Sequence, residues 1–282
     1  MRGSRRKESD YGMEREKQHS PQIENESSQM TEKNKSKNVL RMVRIGVQFL
    51  FLFLMPSLFA QAFGGVKEIL TEMGAGRGLH LSVFVVTFLI LCGLTIAFGR
   101  IFCGWVCAFG ALGDWIYQFS SFVQKKTNRN LPELPLKWLH ILQKIKYFVL
   151  TAILLLCFMG RNEIVTKYSP WTVFSLLAAG NFSLGQYLIG VALLLMIVAG
   201  MFFQERFFCQ CLCPLGAVFS LLPIVPLPVW KRNEKNCISN CQICRRKCPV
   251  HIKLGEESLQ EGECIRCGRC KVECPRGNIG IH

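Results

Sequence analysis

Near its C-terminus the chain reads Cys264-Ile-Arg-Cys267-Gly-Arg-Cys270-Lys-Val-Glu-Cys274-Pro275. The first three thiols of this C-x2-C-x2-C-x3-C-P pattern are spaced closely enough to wrap one iron–sulfur cube corner by corner. The proline turns the fourth cysteine away, so that it reaches a different cluster. The run therefore predicts an iron–sulfur site that shares its ligands with a second cluster.

A second run precedes the first along the chain, and it reads Cys237-Ile-Ser-Asn-Cys241-Gln-Ile-Cys244-Arg-Arg-Lys-Cys248-Pro249. One residue is inserted between Cys237 and Cys241, which loosens the loop there. If the fourth cysteine of each run crosses to the other cluster, the eight thiols divide into two sets of four. The predicted sets are Cys237, Cys241, Cys244 and Cys274 for one cluster, and Cys248, Cys264, Cys267 and Cys270 for the other.

Structural zinc is the alternative for these cysteines, since zinc sites also use C-x2-C pairs, but they rarely use three cysteines so closely spaced. A disulfide framework is disfavoured because residues 1–38 are polar, which predicts no cleavable signal peptide. The Arg and Lys residues around the cysteines also suit metal ligation in a reducing compartment. We therefore predict two [4Fe–4S] clusters in a tail at residues 231–282, which is too short to fold on a hydrophobic core alone.

Outside the tail, apolar residues are concentrated in long runs. Half of the 282 residues are hydrophobic and the mean hydropathy is +0.25. Four runs come near the ~20 residues that a helix needs to cross the hydrocarbon of a bilayer. The predicted spans are residues 39–62, ending at Gly64-Gly65, then 79–98, 138–159 and 184–203. Residues 1–38 are predicted to be a disordered tail.

The formal net charge of +15 suits a membrane protein better than a nucleic-acid-binding one, because nucleic-acid-binding chains are rarely this apolar. The excess of Lys and Arg residues alternates from one loop to the next. This pattern predicts a protein embedded in the lipid of the inner membrane, with both termini and the second loop in the cytoplasm. Lys144 and Lys146 fall in the first half of the third span, and we expect them to snorkel to the headgroups.

Two segments 106 residues apart resemble each other. Arg100-Ile-Phe-Cys103-Gly-Trp-Val-Cys107-Ala-Phe-Gly-Ala-Leu follows the second predicted span, and Arg206-Phe-Phe-Cys209-Gln-Cys-Leu-Cys213-Pro-Leu-Gly-Ala-Val follows the fourth. The membrane part, residues 39–230, is therefore predicted to be two tandem halves of two spans each. Cysteines four apart share one face of a helix, and pseudo-symmetry would bring the two pairs together.

The paired cysteines of this repeat are candidates for a third redox or metal site, and they are Cys103, Cys107, Cys209 and Cys213. A third cluster, a soft metal such as copper, and a redox-active dithiol pair all remain open. The alternative is that these cysteines are buried small hydrophobes. That alternative is preferred for the single cysteines Cys92 and Cys157, and Cys211 is left unassigned.

The cysteine blocks, the four spans and the doubled cysteine tail together resemble the NapH-like ferredoxin-type membrane proteins, whose core also occurs in NosR-type and cbb3-oxidase-accessory iron–sulfur proteins. The resemblance covers about residues 40 to 282. It implies electron transfer between the quinone pool and a redox partner protein, either a reductase or a flavoprotein. In the family a proline follows the second cysteine of each membrane pair. Pro214 matches this pattern, whereas Ala108 does not.

The expected fold is an all-α polytopic membrane protein with four transmembrane helices and a small C-terminal bacterial-ferredoxin-type α+β domain. No acid–base or nucleophile constellation stands out, which favours a non-catalytic electron-transfer subunit. A copper-reducing or copper-handling accessory factor for respiratory enzyme assembly, and a redox sensor, are the alternatives. The outer-loop segment Tyr168-Ser169-Pro170-Trp171 borders a quinone pocket or serves as an interfacial anchor, the commoner role of such aromatics.

Overall fold

The computed structural model describes residues 34–78, 80–128, 135–222, 230–232, 237–238, 241–252, 262–277 and 279–281. The predicted disordered tail therefore lies outside the described residues up to position 33. Residues 34–38 are already helical, so the first helix begins earlier than predicted. The chain divides into two compact units, residues 1–43 and 44–282, and the described part of the first unit is the beginning of this helix.

Two helices, α1 (Asn34–Leu54) and α2 (Leu58–Gly74), take the place of the first predicted span, and the chain bends by 63° between them. The break contains Pro56, which has no N–H to donate to a helical hydrogen bond. The prediction that the helix ends at Gly64-Gly65 is wrong, because α2 continues past both glycines. A Cβ at Gly65 would lie 2.7 Å from Cβ of Phe88, so this glycine permits close packing against α3 (Val83–Phe98).

The other described residues of the membrane part lie mostly in helices. The helical elements are α4 (Ile101–Trp105), α5 (Ala108–Thr127), α6 (Leu136–Phe158), α7 (Asn162–Tyr168), α8 (Pro170–Ala178), a 3-10 turn at Gly185–Tyr187, α9 (Leu188–Phe203), α10 (Phe207–Cys211) and α11 (Pro214–Leu221).

Two or three of these helical segments are candidate membrane spans. Among the described residues, Ile141–Phe158 and Gly185–Phe203 are long and apolar enough to cross a bilayer, with mean hydropathies of 1.8 and 2.2. The bent pair of α1 and α2 is a third candidate if it counts as one span. Helix α3 is apolar but has only 16 residues, which is short of the ~20 that a perpendicular helix needs.

The cysteine repeat adopts the same local structure in both halves. Helix α10 begins and ends 106 residues after α4, and α11 begins 106 residues after α5. In each block the first cysteine lies on the short helix and the second lies in the break before the next helix. Helix α10 contacts α5 of the first half as well as α6 and α9, which brings the two blocks together.

The tail has little regular structure in its described residues. Strand β1 (Trp230–Arg232) pairs antiparallel with β2 (Ile279–Ile281), and Trp230 lies opposite Ile281. Two short helices, α12 (Ile243–Arg246) and α13 (Arg269–Glu273), follow the first cysteines of the two runs and contact each other. The described part of the predicted α+β domain is thus two three-residue strands and two helical turns.

Candidate metal centres

One cavity of the tail collects four cysteines from both runs, namely Cys248, Cys264, Cys267 and Cys270. Burial, followed by repulsion from Cys267, raises the pKa of the Cys248 thiol to about 12. The backbone N–H groups of Val250 and Ile252 hydrogen-bond to this thiol and oppose the rise in its pKa. Four thiols and backbone donors around one cavity are the donor set that a [4Fe–4S] cluster uses.

A second tail cavity is lined by the other four cysteines of the two runs, Cys237, Cys241, Cys244 and Cys274. Pro275 and Ile279 also line it. Cys237, which precedes the inserted residue, therefore lies with the rest of its run. The fourth cysteine of each run lies with the first three of the other run, as the proline after it predicts.

The paired cysteines of the membrane repeat form a third group, which we call the thiol cluster: Cys103, Cys107, Cys209 and Cys213. All four are buried. Burial raises the pKa of Cys107, and repulsion from Cys209 and Cys103 raises it further. Burial also raises the pKa of Cys213, and Cys209, Cys103 and Cys107 add to this effect. Each half of the repeat thus contributes two thiols that lie within electrostatic range of the other pair.

Two members of the thiol cluster sit at helix N-termini. Cys213 precedes α11, and its Sγ accepts a hydrogen bond of 3.1 Å from the backbone N–H of Gly216. Cys107 precedes α5, and the backbone N–H of Gly110 opposes the rise in its pKa. The backbone angles (φ, ψ) are −61° and 122° at Cys107, against −73° and 110° at Cys213, so alanine at the next position leaves this turn intact. Helix N-termini favour thiolates, which are the metal-binding form.

The remaining cysteines lie elsewhere. Cys157 is buried in α6 and Cys92 is half-buried in α3, consistent with packing roles. Cys211 is buried on α10, where burial raises the pKa of its thiol to about 12 while Lys146 lowers it. Among the described residues, no three His, Cys, Asp or Glu side chains approach closely enough to hold a single metal ion.

Arg206, the first residue of the second block, is completely buried and forms a two-point ion pair with Asp114 of α5. Its Nε donates to Oδ1 at 2.8 Å and its Nη2 donates to Oδ2 at 2.6 Å. Its Nη1 donates to the carbonyl of Cys103 in the thiol cluster. Arg44 and Gln48 of α1 also donate to Asp114. Burial raises the pKa of Asp114, but Arg206 and Arg44 outweigh that effect and lower it to about 2.

Arg100, the first residue of the first block, is buried as well, and its carboxylate partner comes from the tail. Its Nη1 donates to Glu263 Oε2 at 2.7 Å. Lys146 Nζ and Tyr147 Oη donate to the other oxygen of Glu263, Oε1, at 2.5 and 2.9 Å. The expectation that Lys146 snorkels is therefore wrong, since its side chain is 0% exposed. The Nε of Arg100 is buried and has no hydrogen-bond partner in the described part of the chain.

Each buried arginine interacts electrostatically with the thiol cluster and with a cysteine of the first tail cavity. Burial lowers the pKa of Arg206, but Asp114 and the nearby thiols of Cys209 and Cys267 raise it overall. Arg100 interacts electrostatically with the thiols of Cys103 and Cys213 in the same way. Burial raises the pKa of the Cys264 thiol, and Arg100 is one of the groups that oppose this rise. The ion pairs of Arg100 and Arg206 were not predicted from the sequence. The available signal was that both cysteine blocks begin with an arginine.

The loops of the first tail cavity pack directly on the two cysteine blocks. Trp105 Nε1 donates to the carbonyl of Arg266 at 3.1 Å, and a Cβ at Gly104 would collide with the carbonyl of Ile265. In the second half, Gln210 Nε2 donates to the carbonyl of Pro249 at 2.7 Å. Gly104 and Gln210 are equivalent positions of the repeat, so each half receives one cysteine run of the tail.

A further cavity of about 300 Å³ lies between α6 and α9. It is almost entirely apolar, and its lining includes Val149, Ile153, Tyr168, Trp171, Met196 and Phe208. Trp171 is only 6% exposed, so it is not an interfacial anchor, and its Nε1 has no hydrogen-bond partner among the described residues.

Aromatic rings connect this cavity with the thiol cluster. The ring of Phe59 lies 6.2 Å from that of Trp171 and 5.9 Å from that of Phe208, and Phe208 lies 4.7 Å from Phe109. Phe208 directly precedes Cys209 in the chain. The cavity therefore borders the residues that carry the thiol cluster.

Comparison with known families gives a match to the 4Fe-4S binding domain, over residues 79–130 and 187–225. Both matched segments lie in the membrane part, and each contains one cysteine block of the repeat. The cysteine runs of the tail fall outside the match. This domain description therefore applies to the segments that carry the thiol cluster.

Several proteins are similar to this chain. An uncharacterized protein of Methanocaldococcus jannaschii is 29% identical over 247 residues, which cover 86% of this chain and 94% of the relative. NirI of Paracoccus denitrificans is 31% identical over 67% of this chain and 27% of its own length. The regulatory protein NosR of Stutzerimonas stutzeri is 28% identical over 61% of this chain and 23% of its own.

Two shorter relatives also match. The ferredoxin-type protein NapH of Haemophilus influenzae and the putative electron transport protein YccM of Escherichia coli are each 26% identical, over 62% and 73% of this chain. They are covered over 59% and 55% of their own lengths, whereas the chain spans only about a quarter of NirI and NosR. No solved structure matches the chain.

Proposed function

Because the chain belongs to the NapH- and NosR-like family of 4Fe–4S ferredoxin-type proteins, we propose that it passes electrons between the membrane quinone pool and a redox partner protein. The observation that carries the proposal is the sorting of the eight tail cysteines into two groups of four, each around its own cavity. Iron–sulfur clusters, when bound, supply one-electron carriers with potentials between about −700 and +450 mV.

In this proposal Cys248, Cys264, Cys267 and Cys270 hold one [4Fe–4S] cluster, and Cys237, Cys241, Cys244 and Cys274 hold the other. The donor sets fit this role because all eight ligands are thiols and the runs exchange their fourth cysteines. The N–H groups that face Cys248 stabilise a thiolate, and hydrogen bonds to cluster sulfurs also tune the potential.

We assign a third cluster to Cys103, Cys107, Cys209 and Cys213. Three features support it: four neighbouring buried thiols, helix N-termini behind Cys107 and Cys213, and the Nε of the buried Arg100, which has no partner in the part of the chain that the structure describes. This Nε–H has no acceptor among the described residues, so it is available to a sulfur of a bound cluster. The 4Fe-4S match over both cysteine blocks supports the same assignment.

The membrane topology that we propose has four spans, with both termini and the cysteine blocks on the cytoplasmic side of the inner membrane. The bent pair α1 and α2, the 16-residue helix α3, and the two long candidates in α6 and α9 supply the spans. The alternating excess of Lys and Arg between loops supports this orientation.

The apolar cavity between α6 and α9 is the proposed quinone site. Its volume of about 300 Å³ is at the lower end of the range for small-molecule pockets. The buried N–H of Trp171 provides a hydrogen-bond donor for a quinone carbonyl, and the rings of Phe59 and Phe208 lead from there toward Cys209. The proposed redox partner is a reductase or a flavoprotein.

Iron counting tests the third cluster. Cys103→Ser with Cys209→Ser is expected to remove about four irons per chain from the purified protein, because one cubane site is lost. Cys157→Ser is the matched control, since Cys157 is also buried in the membrane part but lies outside the thiol cluster. Unchanged iron together with lost copper binding would instead favour the copper-handling function.

The tail clusters have their own test. Cys264→Ser and Cys241→Ser each change one ligand of a different cavity, so each is expected to lose about four irons per chain. Zinc in place of iron in the purified wild-type protein would contradict the proposed electron-transfer function.

A further inference from the structure

The two buried arginines of the repeat cross into each other's half. A Cβ at Gly110 would lie 3.2 Å from Nη1 of Arg206, and a Cβ at Gly216 would lie 2.8 Å from Nη2 of Arg100. Gly110 and Gly216 are equivalent positions, each ten residues after the arginine of its own block. Each guanidinium therefore fills the space that a glycine leaves in the opposite half.

The carboxylates that neutralise the two arginines break this symmetry. Asp114 lies fourteen residues after Arg100 and pairs with Arg206. The equivalent position in the second half is Ser220, which has no charge to offer Arg100. The second half thus lacks one carboxylate that the first half possesses.

Glu263 of the tail fills this gap. It pairs with Arg100, and its Oε1 accepts the hydrogen bond of Tyr147 Oη. The same Tyr147 hydroxyl lies 2.9 Å from Oγ of Ser220, so Glu263 reaches the neighbourhood of the missing carboxylate. Arg100 and Lys146 both pair with this carboxylate, at 2.7 and 2.5 Å.

Charge balance favours this contact, because Glu263 supplies a negative charge to two buried cations. Arg100 and Lys146 have side chains that are 2% and 0% exposed, and Glu263 is the one carboxylate paired with either of them in the described part of the chain. A buried cation without a partner is strongly destabilising. The next residue after Glu263 is Cys264, so the contact fixes a cysteine of the first tail cavity beside the membrane part.

We propose that Glu263 is a positioning residue, the carboxylate by which the tail completes the second half of the repeat and docks Cys264 beside the thiol cluster. The importance of this docking for electron transfer rests on the proposed function, because transfer between two centres needs a fixed approach. The docking itself does not depend on it.

Hydrogen–deuterium exchange on the purified full-length protein in detergent, with its iron content recorded, tests the docking. Glu263→Gln keeps the shape of the side chain and removes its charge. We expect the amides of residues 264–270 to exchange about tenfold faster, the equivalent of about 1.4 kcal/mol. Glu163→Gln, on the outer helix α7, is the matched control and should leave these amides unchanged. Unchanged exchange in Glu263→Gln would overturn the proposal.

A rescue variant separates docking from simple neutralisation. Ser220→Asp added to Glu263→Gln returns a carboxylate to the second half without reconnecting the tail. We expect this double variant to recover the unfolding temperature of the wild type while residues 264–270 still exchange fast. If it restores slow exchange as well, Glu263 serves only as a counter-charge and the proposal is wrong. The same double variant decides the matter if Glu263→Gln alone does not accumulate.

These outcomes are independent of the proposed function. If the wild-type protein lacks iron or does not react with quinol, the proposed electron-transfer role is wrong. The difference in hydrogen exchange between wild type and Glu263→Gln can still be measured in that case. Conversely, a protein with full iron and undisturbed exchange in Glu263→Gln would keep its electron-transfer role and lose the docking contact.

Discussion

Arg206 and Asp114 come from opposite halves of the repeat and form a two-point ion pair, with hydrogen bonds of 2.8 and 2.6 Å. Arg206 has a positive φ of 56°, a backbone conformation that non-glycine residues adopt only when their surroundings hold them there. The ion pair is therefore a point at which the two halves determine each other's structure.

Asp114→Asn is expected to destabilise the protein by about 3–5 kcal/mol, because it leaves Arg206 and Arg44 buried without a counter-charge. The measurement is the thermal unfolding midpoint in detergent. Glu72→Gln is the control, since Glu72 pairs with the exposed Arg77, and such surface pairs contribute about 0–1 kcal/mol. Equal losses in the two variants would contradict the proposed importance of the Asp114 pair.

The effect of Asp114→Asn should not depend on pH near neutrality. The pKa of Asp114 is lowered to about 2, below its value in the unfolded chain. A lowered carboxyl pKa contributes stability that is fully present above the unfolded pKa and is lost as the pH falls through the folded one. The difference in unfolding midpoint between wild type and variant should therefore be constant from about pH 5 to 8 and shrink only below about pH 4. A difference that shrinks between pH 8 and 6 would implicate another group.

Gly104→Ala should separate the tail from the membrane part. The added Cβ collides with the carbonyl of Ile265, and relieving such a collision costs about 1–3 kcal/mol. We expect faster limited proteolysis of the tail and easier loss of iron to a chelator. Gly93→Ala is the control because a Cβ there meets nothing within 4 Å. Identical digestion of both variants would show that Gly104 is not needed for close packing.

Trp171→Phe should weaken the reaction with quinol while sparing the clusters. The change keeps an aromatic ring but removes the N–H, which has no partner among the described residues, and one hydrogen bond contributes about 0.5–1.5 kcal/mol. We expect KM for a water-soluble quinol to rise about three- to tenfold with unchanged iron content. Trp115→Phe also removes a buried unpartnered N–H, but Trp115 does not line the cavity, so its KM should stay constant. A KM shift in both variants would argue against this site.

The cysteine groupings followed from the sequence because cluster spacing is local. The proline after Cys248 and Cys274 predicted which run each would join, and the 106-residue offset predicted that the two membrane pairs would meet. The helix break at Pro56 was also present in the sequence, but an uninterrupted apolar run concealed it.

The ion pairs could not be predicted in the same way. Glu263 and Lys146 are separated by 117 positions, and no periodicity connects a tail carboxylate with a cation inside a span. The sequence alone predicts that Lys146 reaches the headgroups, because it shows no partner for a charge within a span. Only the packing of the tail reveals that it has a partner.

The position of Glu263 after all of the membrane helices has a consequence for biosynthesis. A chain is made from its N-terminus at about 5–20 residues per second, so every membrane helix exists before the tail does. Until residue 263 has been translated, Arg100 and Lys146 lack their carboxylate partner. The surface at Gly104 that packs against Ile265 is also uncovered at that stage. The segment that packs against the first cysteine block through Ile265 is thus made after all of the membrane helices. If the thiol cluster holds the proposed third [4Fe–4S] cluster, the uncovered face gives iron and sulfide access to it before the tail packs there.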